Sequence, residues 1–503
     1  MRSGSTTGWG TVAAALPVLL AAAVYFPVTR SYFFADDFNC LLSIRNDDFL
    51  RFVLRPFAGH NLVVRNLVFY GSARFFGLRA DLFFWQMLLT HLLNVWLLFR
   101  VLHALTASRL LASGGAALWG TSPVQLGTLG WYSVYGQVLV ATALLVVLER
   151  VTRLAVTGDR PRAGAAAVWY VLLLAGSACF GTGLGVALAF PAVLFLLLPC
   201  VWQRRGLRAF FLTLPIATIG LYYLDRTIVP HFELLPRDEV IAGSISVQRV
   251  LTAPSSIPEL VANGVDSGLR SFFVTFSQPP GLTRTVTLAL FGAGLLLLLW
   301  RGDPATRRAV LAMGLLCIAI YGAIAIGRSI FLDPNALAIT TRYHYVGTLP
   351  IVILACLVVG QLAHAGPLQM VPPVAFLGGA IALGIYGWAR SDFHIDDHGA
   401  SRAQLTAVVR ALDAEVASHP VGTTVFVENG KPSARMLGPV MVTAVHLFPG
   451  RAAAFLLTHD TDELAGRRVP FVERDPAILK WYARFPETPL ARLLVAPEQV
   501  PRP

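Results

Sequence analysis

Charge is what this chain has least of. Asp, Glu, Lys and Arg together make up 14% of its 503 residues, while 55% are apolar, against a usual charged share of about 25%. The mean hydropathy is +0.64. A water-soluble protein so poor in charge could not cover its own surface, so most of the chain belongs in lipid. Lysine is nearly missing: Lys431 and Lys480 are the only two, and arginine supplies the remaining positive charge. Cysteine is sparse as well. Cys40, Cys179, Cys200, Cys317 and Cys356 form no CxxC pair and no Cys/His cluster, which argues against a zinc site or a disulfide framework. A Cys40–Cys179 bridge can be drawn, although small cysteines in apolar segments ordinarily just pack.

What is present is a succession of apolar runs. A spanning helix needs ~20 largely apolar residues. Runs of that kind lie near 10–28, 83–105, 110–128, 134–150, 165–180, 184–201, 209–225, 285–300, 309–327, 347–363 and 371–389. The first follows Arg2 but lacks a clean small-x-small cleavage site, so it reads as an uncleaved anchor rather than a signal peptide. With the N-terminus inside, the inner connections hold Arg2, Arg100, Arg109, Arg150, Arg153, Arg160, Arg162, Arg204, Arg205, Arg208, Arg301, Arg307 and Arg308. Against these thirteen stand Glu149, Asp159 and Asp303, a surplus of ten out of the chain's net +12. The positive-inside rule absorbs that charge and leaves no footprint for nucleic acid. Residues 257–276 have helical periodicity but carry Glu259, Asp266 and Arg270. A span there would move Arg301, Arg307 and Arg308 outside, so the segment reads as an interfacial amphipathic helix.

The fold class is therefore a polytopic α-helical membrane protein with about eleven transmembrane helices over residues 1–389. Its first outer loop covers 29–82 and its second large outer loop 226–284. Residues 390–503 form an extracytoplasmic tail long enough for one small domain. A helical face at 402–417, strand-like runs at 423–428, 440–448 and 453–458, and helical signals near 475–484 predict a small α/β domain.

Asp36 and Asp37 follow the first membrane helix, directly after the aromatic Tyr32, Phe33 and Phe34. Two acids there either mark the exit into water or carry chemistry. The loop continues with Arg55, Pro56, His60, Asn61 and Arg65, which suit a solvated face or a substrate loop. His91 and Asn94 lie three apart on the next helix and share a face. They serve either interhelical hydrogen bonding or a wet site. Trp131 and Tyr132 form an aromatic element that fits an interfacial belt or a substrate contact. Late in the chain stands Arg342, Tyr343, His344 and Tyr345, either an interfacial anchor or a binding element.

Taken in order, these motifs resemble the GT-C superfamily of polyprenyl-phosphate-sugar-dependent glycosyltransferases, whose relatives include aminoarabinose transferases and protein O-mannosyltransferases. The matching features are Asp36–Asp37, Arg55–Pro56, His91–Asn94, Trp131–Tyr132 and Arg342–Tyr345, and they cover roughly residues 10–365. The chain departs from many relatives at 179–185, where CFGTGLG stands in place of a basic–acidic pair. It departs again at Tyr135 and Gly136, where some carry an arginine.

The resemblance implies a lipid-linked sugar donor, an envelope acceptor (lipid, glycan or protein) and a reaction at the outer face of the cell's inner membrane. The N-terminus would be cytoplasmic and the C-terminal domain extracytoplasmic. Phosphate is a competent leaving group, so the chemistry asks for a base and for positive charge on the phosphate. Asp36 is taken as the base and Asp37 as its orienting neighbour. Single displacement would invert the anomeric centre. Arg342 is the first choice for the phosphate, with Tyr343, Tyr345, His91 and Asn94 assigned to the donor as well. No cofactor is expected. A divalent cation stays open, because Asp36, Asp37, Asp47 and Asp48 could offer the oxygens it wants. The competing readings are a transporter or flippase of a lipid-linked substrate, and a non-catalytic membrane scaffold. Against the first stand the near absence of mid-span charge and of internal repeats.

Overall fold

The computed structural model describes residues 6–31, 33, 36–46, 48–56, 59–231, 251, 253–270, 282–328, 337–338, 340–364, 369–389, 424–426 and 454–456. Helix is the dominant form. Helix α1 (Thr6–Tyr25) leads into the first long loop, where α2 (Asp36–Asn46), α3 (Phe49–Val53) and α4 (Val63–Phe76) are folded. The bundle continues through α5 (Ala80–Thr106), α6 (Arg109–Gly120), α7 (Leu126–Leu129), α8 (Tyr135–Thr157), α9 (Ala163–Ser177), α10 (Gly181–Leu197), α11 (Pro199–Gln203) and α12 (Arg205–His231). After it come α13 (Ile257–Arg270), α14 (Leu282–Arg301), α15 (Pro304–Arg328), α16 (His344–His364) and α17 (Val371–Ala389).

Seven described helical stretches are long and apolar enough to cross a membrane: Thr11–Arg30, Ala80–Thr106, Arg205–Asp225, Arg284–Arg301, Pro304–Arg328, Thr341–Ala363 and Val371–Ala389. The chain is thus a polytopic membrane protein, and seven of the eleven expected runs become such spans. The other four fold as helices that do not meet that measure. Helix α6 stops after 12 residues, and α9 and α10 have 15 and 17, short of the ~20 a bilayer asks for. Helix α8 has 23 residues but includes Glu149, Arg150 and Arg153. Pro17, Pro191 and Pro350 lie inside helices, as membrane helices tolerate.

The 257–276 segment is where the expectation changes most. Its described part, α13, has 14 residues, about 21 Å of helix, too short to span. Nor does it lie open on an interface. Asn263, Asp266 and Ser267 are buried, and Glu259 pairs with Arg284 of α14 at 2.7 Å. Gly264 lets α13 sit directly on α15 and α16, since a Cβ there would fall 2.1 Å from the Tyr321 hydroxyl. Of the charges that argued against a span, Glu259 is paired and Asp266 is buried inside protein.

At one end of the bundle, Glu149 is buried among arginines. It accepts from Arg100 at 2.6 Å and Arg150 at 3.3 Å, and it also pairs with Arg153. These belong to the cationic set that the sequence gathers on one side. In the tail, β1 (Thr424–Phe426) and β2 (Ala454–Leu456) pair in parallel, Thr424 opposite Ala454. They fall within two of the three strand-like runs. Two three-residue strands do not make a domain, and the 440–448 run and both tail helices lie outside the described residues.

Candidate active site

A cavity of about 230 Å³ lies at the other end of the bundle, between the first outer loop and the segments that precede α8 and α16. Helix α2 opens with both carboxylates in its first turn, where the positive end of the helix dipole favours them. Consecutive helical residues point about 100° apart, so the pair divides. Asp37 is fully buried and accepts from the Ser133 backbone N–H at 2.6 Å and the Ser133 hydroxyl at 2.5 Å. It fastens α2 to the turn at 132–134. Asp36 turns into the cavity. Burial lifts its carboxyl above the ordinary 3.8, while Arg65, Arg342 and Arg328 pull the other way.

Guanidinium groups make up much of the remaining lining: Arg55, Arg65, Arg328 and Arg342 all reach it. Arg65, on the first turn of α4, is only 3% exposed. It donates to Cys40 Sγ at 3.3 Å, and its Nε has no partner among the described residues. Arg55 donates to Ser43 at 2.6 Å. Its backbone is clamped by Asn66, whose amide reaches the carbonyls of Phe52, Val53 and Arg55 at 3.0, 3.2 and 3.0 Å. Arg328 closes α15 and donates to His60 Nε2, and His60 stacks on Phe180 at 4.6 Å. Arg342 lies over Trp131 and Tyr343 at 5.2 and 4.9 Å. Its segment comes so close to α7 that a Cβ on Gly127 would fall 2.8 Å from the Arg342 nitrogen. Among the described residues neither Arg65 nor Arg342 forms an ion pair.

The structure therefore brings Asp36, Arg55, His60, Arg65, Trp131, Arg342 and Tyr343 to one cavity. The first-loop residues are not a solvated face, because His60, Asn61 and Arg65 are buried. Asn61 stands off the cavity and accepts from Val63 N–H at the start of α4. Tyr132 is fully buried and donates to Gln86 at 2.8 Å. Burial pushes its hydroxyl well above 10.0. Neither it nor Trp131 forms an interfacial belt.

His91, Asn94 and Tyr345 do not line the cavity; they are buried in the bundle. His91 Nε2 donates to the Gly120 carbonyl at 2.9 Å, which leaves Nδ1 to accept from the Tyr345 hydroxyl at 2.8 Å. Asn94 donates to Val138 O at 3.1 Å. A helix turns Arg342 and Tyr343 one way and Tyr345 another, so the RYHY element is half cavity wall and half bundle. It is not an anchor in lipid.

Several residues at the cavity had gone unread. Arg328 was legible as an arginine ending an apolar run at the end opposite Arg307 and Arg308. Phe180 comes from the CFGTGLG segment, which supplies a ring against His60 in place of a charge pair. Cys40 and Ser133 carried no signal. As for a metal, Asp37 is engaged by Ser133, Asp48 caps α3 through Arg51 N–H at 2.8 Å, and Asp47 lies outside the described residues. No group of three His, Cys, Asp or Glu among the described residues could hold an ion, so no step is routed through one. All five cysteines are free thiols.

No family model matches the chain, and no curated protein does. Among solved structures it is similar to ArnT from Cupriavidus metallidurans bound to undecaprenyl phosphate. The two are 15% identical over 96% of this chain and 91% of that one, with a TM-score of 0.47. The apo state of the same protein gives 0.46. An Archaeoglobus fulgidus oligosaccharyltransferase tethered to an acceptor peptide containing the NVT sequon is 13% identical, with a TM-score of 0.46. There the match covers 88% of this chain and 63% of that one.

Proposed function

We propose that this chain is a membrane glycosyltransferase that moves a sugar from a polyprenyl-phosphate donor to an acceptor hydroxyl at the outer face of the inner membrane. The observation that carries this reading is Asp36 in a cavity with Arg65 and Arg342, neither of them ion-paired among the described residues. A carboxylate facing guanidiniums that have no counter-charge of their own is suited to a reaction that takes up a proton and sheds an anion.

Asp36 accepts the proton of the acceptor hydroxyl as its oxygen attacks C1 of the sugar. The C1–O bond to phosphate breaks with inversion. The phosphate leaves as a monoester and gains one negative charge over the donor diester. Arg342, Arg65 and Arg328 meet that added charge. Tyr343 and Trp131 hold the Arg342 side chain and offer faces for the sugar. A cavity of about 230 Å³ lies below the 300–1,000 Å³ usual for ligand sites. It suits a headgroup, with the polyprenyl tail lying along the lipid-facing side of the bundle. His91, Asn94 and Tyr345 hold helices together beneath the site rather than touch the donor. The tail, 390–503, is proposed as an outer domain.

The deciding experiment is sugar transfer by the purified protein from a panel of polyprenyl-phosphate sugars, with Asp36→Asn beside the unaltered chain. Loss of about 10²-fold or more is expected of a missing general base. Undiminished transfer by Asp36→Asn removes the catalytic assignment, and translocation of the lipid without transfer favours a flippase.

A further inference from the structure

Gln137 occupies the first turn of α8, fully buried and off the cavity. A buried amide is costly unless both its ends are bonded, and here both are. Its Nε2 donates to the Arg342 backbone carbonyl at 3.1 Å, and its Oε1 accepts from the Thr182 hydroxyl at 2.9 Å. The carbonyl can only accept, so the amide has one workable orientation. Thr182, itself 1% exposed, holds the other end of the amide from α10. Thr128 adds a longer bond to the same carbonyl at 3.4 Å.

We infer that Gln137 is a positioning residue for the anion site: tied to α10 by Thr182, it fixes the Arg342 backbone so that the guanidinium stays over Trp131 and aimed into the cavity. The inference rests on the glycosyltransferase reading and names the part of the fold that sets its phosphate affinity. The geometry leaves little slack. The guanidinium lies over the Trp131 ring, and its segment is already packed against α7 at Gly127, where there is no room for a Cβ. The Arg342 carbonyl is then the point at which the α8–α10 pair acts on the site. Replacing Gln137 by an apolar residue of like size leaves the cavity lining intact and leaves that carbonyl only the longer Thr128 bond.

The test is binding of undecaprenyl phosphate to the full-length protein in nanodiscs, which needs neither the sugar nor the acceptor to be known. Gln137→Met is expected to weaken binding about tenfold, the scale of one buried hydrogen bond. Arg342→Ala is expected to weaken it more. The double variant Gln137→Met/Arg342→Ala should bind no worse than Arg342→Ala alone, because Gln137 acts only through Arg342. Additive losses would mean that Gln137 merely supports the fold, and wild-type binding by Gln137→Met would end the inference while leaving the parent reading standing. Should Gln137→Met fail to elute as a single species, Thr182→Val carries the same cycle one bond further back, with a smaller loss and the same non-additivity. If the unaltered chain does not bind the lipid, or Arg342→Ala binds as well as it does, the parent reading falls and this inference with it.

Discussion

Asp37 accepts two hydrogen bonds from Ser133 in full burial, while its neighbour Asp36 looks into a cavity ringed by arginines. The two carboxylates therefore respond differently to the same substitution. Asp37→Asn keeps the shape but gives up charge-assisted bonds, and a loss of about 1–3 kcal/mol is expected in chemical unfolding of the detergent-solubilised protein. Asp36→Asn should cost no stability. The folded-state pKa of Asp36 is raised above its unfolded value, so folding binds that proton more tightly, and the ionised carboxylate weakens the fold as pH rises through this window. The same shift governs the rate. The base works ionised, so transfer is lost as pH falls through the Asp36 pKa, and the acid limb should have its midpoint above 3.8. A midpoint at or below that value would count against Asp36 as the base. Sequence marked this pair but could not divide its roles, because which carboxylate turns inward depends on Ser133, 96 residues away.

At the scale of elements, apolar runs were legible and their lengths less so. The 110–128 run held a 12-residue helix and a turn, since helix ends are set by caps and packing that hydropathy does not sense. Ser108 caps α6 through Leu111 N–H at 3.3 Å. Helix α13 makes the same point. Its periodicity was plain, but its burial depends on α14, α15 and α16. Gly264→Val tests that docking. With the new Cβ 2.1 Å from the Tyr321 hydroxyl, overpacking of about 1–3 kcal/mol is expected, seen as a lower unfolding temperature. Unchanged stability would mean that α13 can move off α15 freely.

For the molecule as a whole, the cavity and the buried Glu149 cluster occupy opposite ends. Val134, the residue just before α8, lines the cavity, and Glu149 lies within α8, about 20 Å farther along. This separation gives the proposed orientation a direct check. In a Cys40→Ser background, a cysteine at Arg79 should react with a membrane-impermeant maleimide from outside intact cells. One at Asp159 should react only after permeabilisation, and one near Glu463 should behave like Arg79. The opposite pattern would invert the topology and take the site out of reach of an outer acceptor.

Composition alone put this chain in a membrane, because so few charges cannot cover a soluble surface. The arginine distribution predicted which side of the membrane each connection faces, since charge crossing a bilayer is costly. The order of Asp36, Arg55, Trp131 and Arg342 along the chain was enough to nominate a site. Which of the nominated residues meet was decided only by tertiary structure. His91 and Asn94 looked as promising as His60, yet they bond within the bundle while His60 lies against Arg328. Spacing along a helix tells which side chains share a face. Whether that face turns toward a cavity or toward another helix is fixed by segments hundreds of residues apart, and no local pattern carries that information.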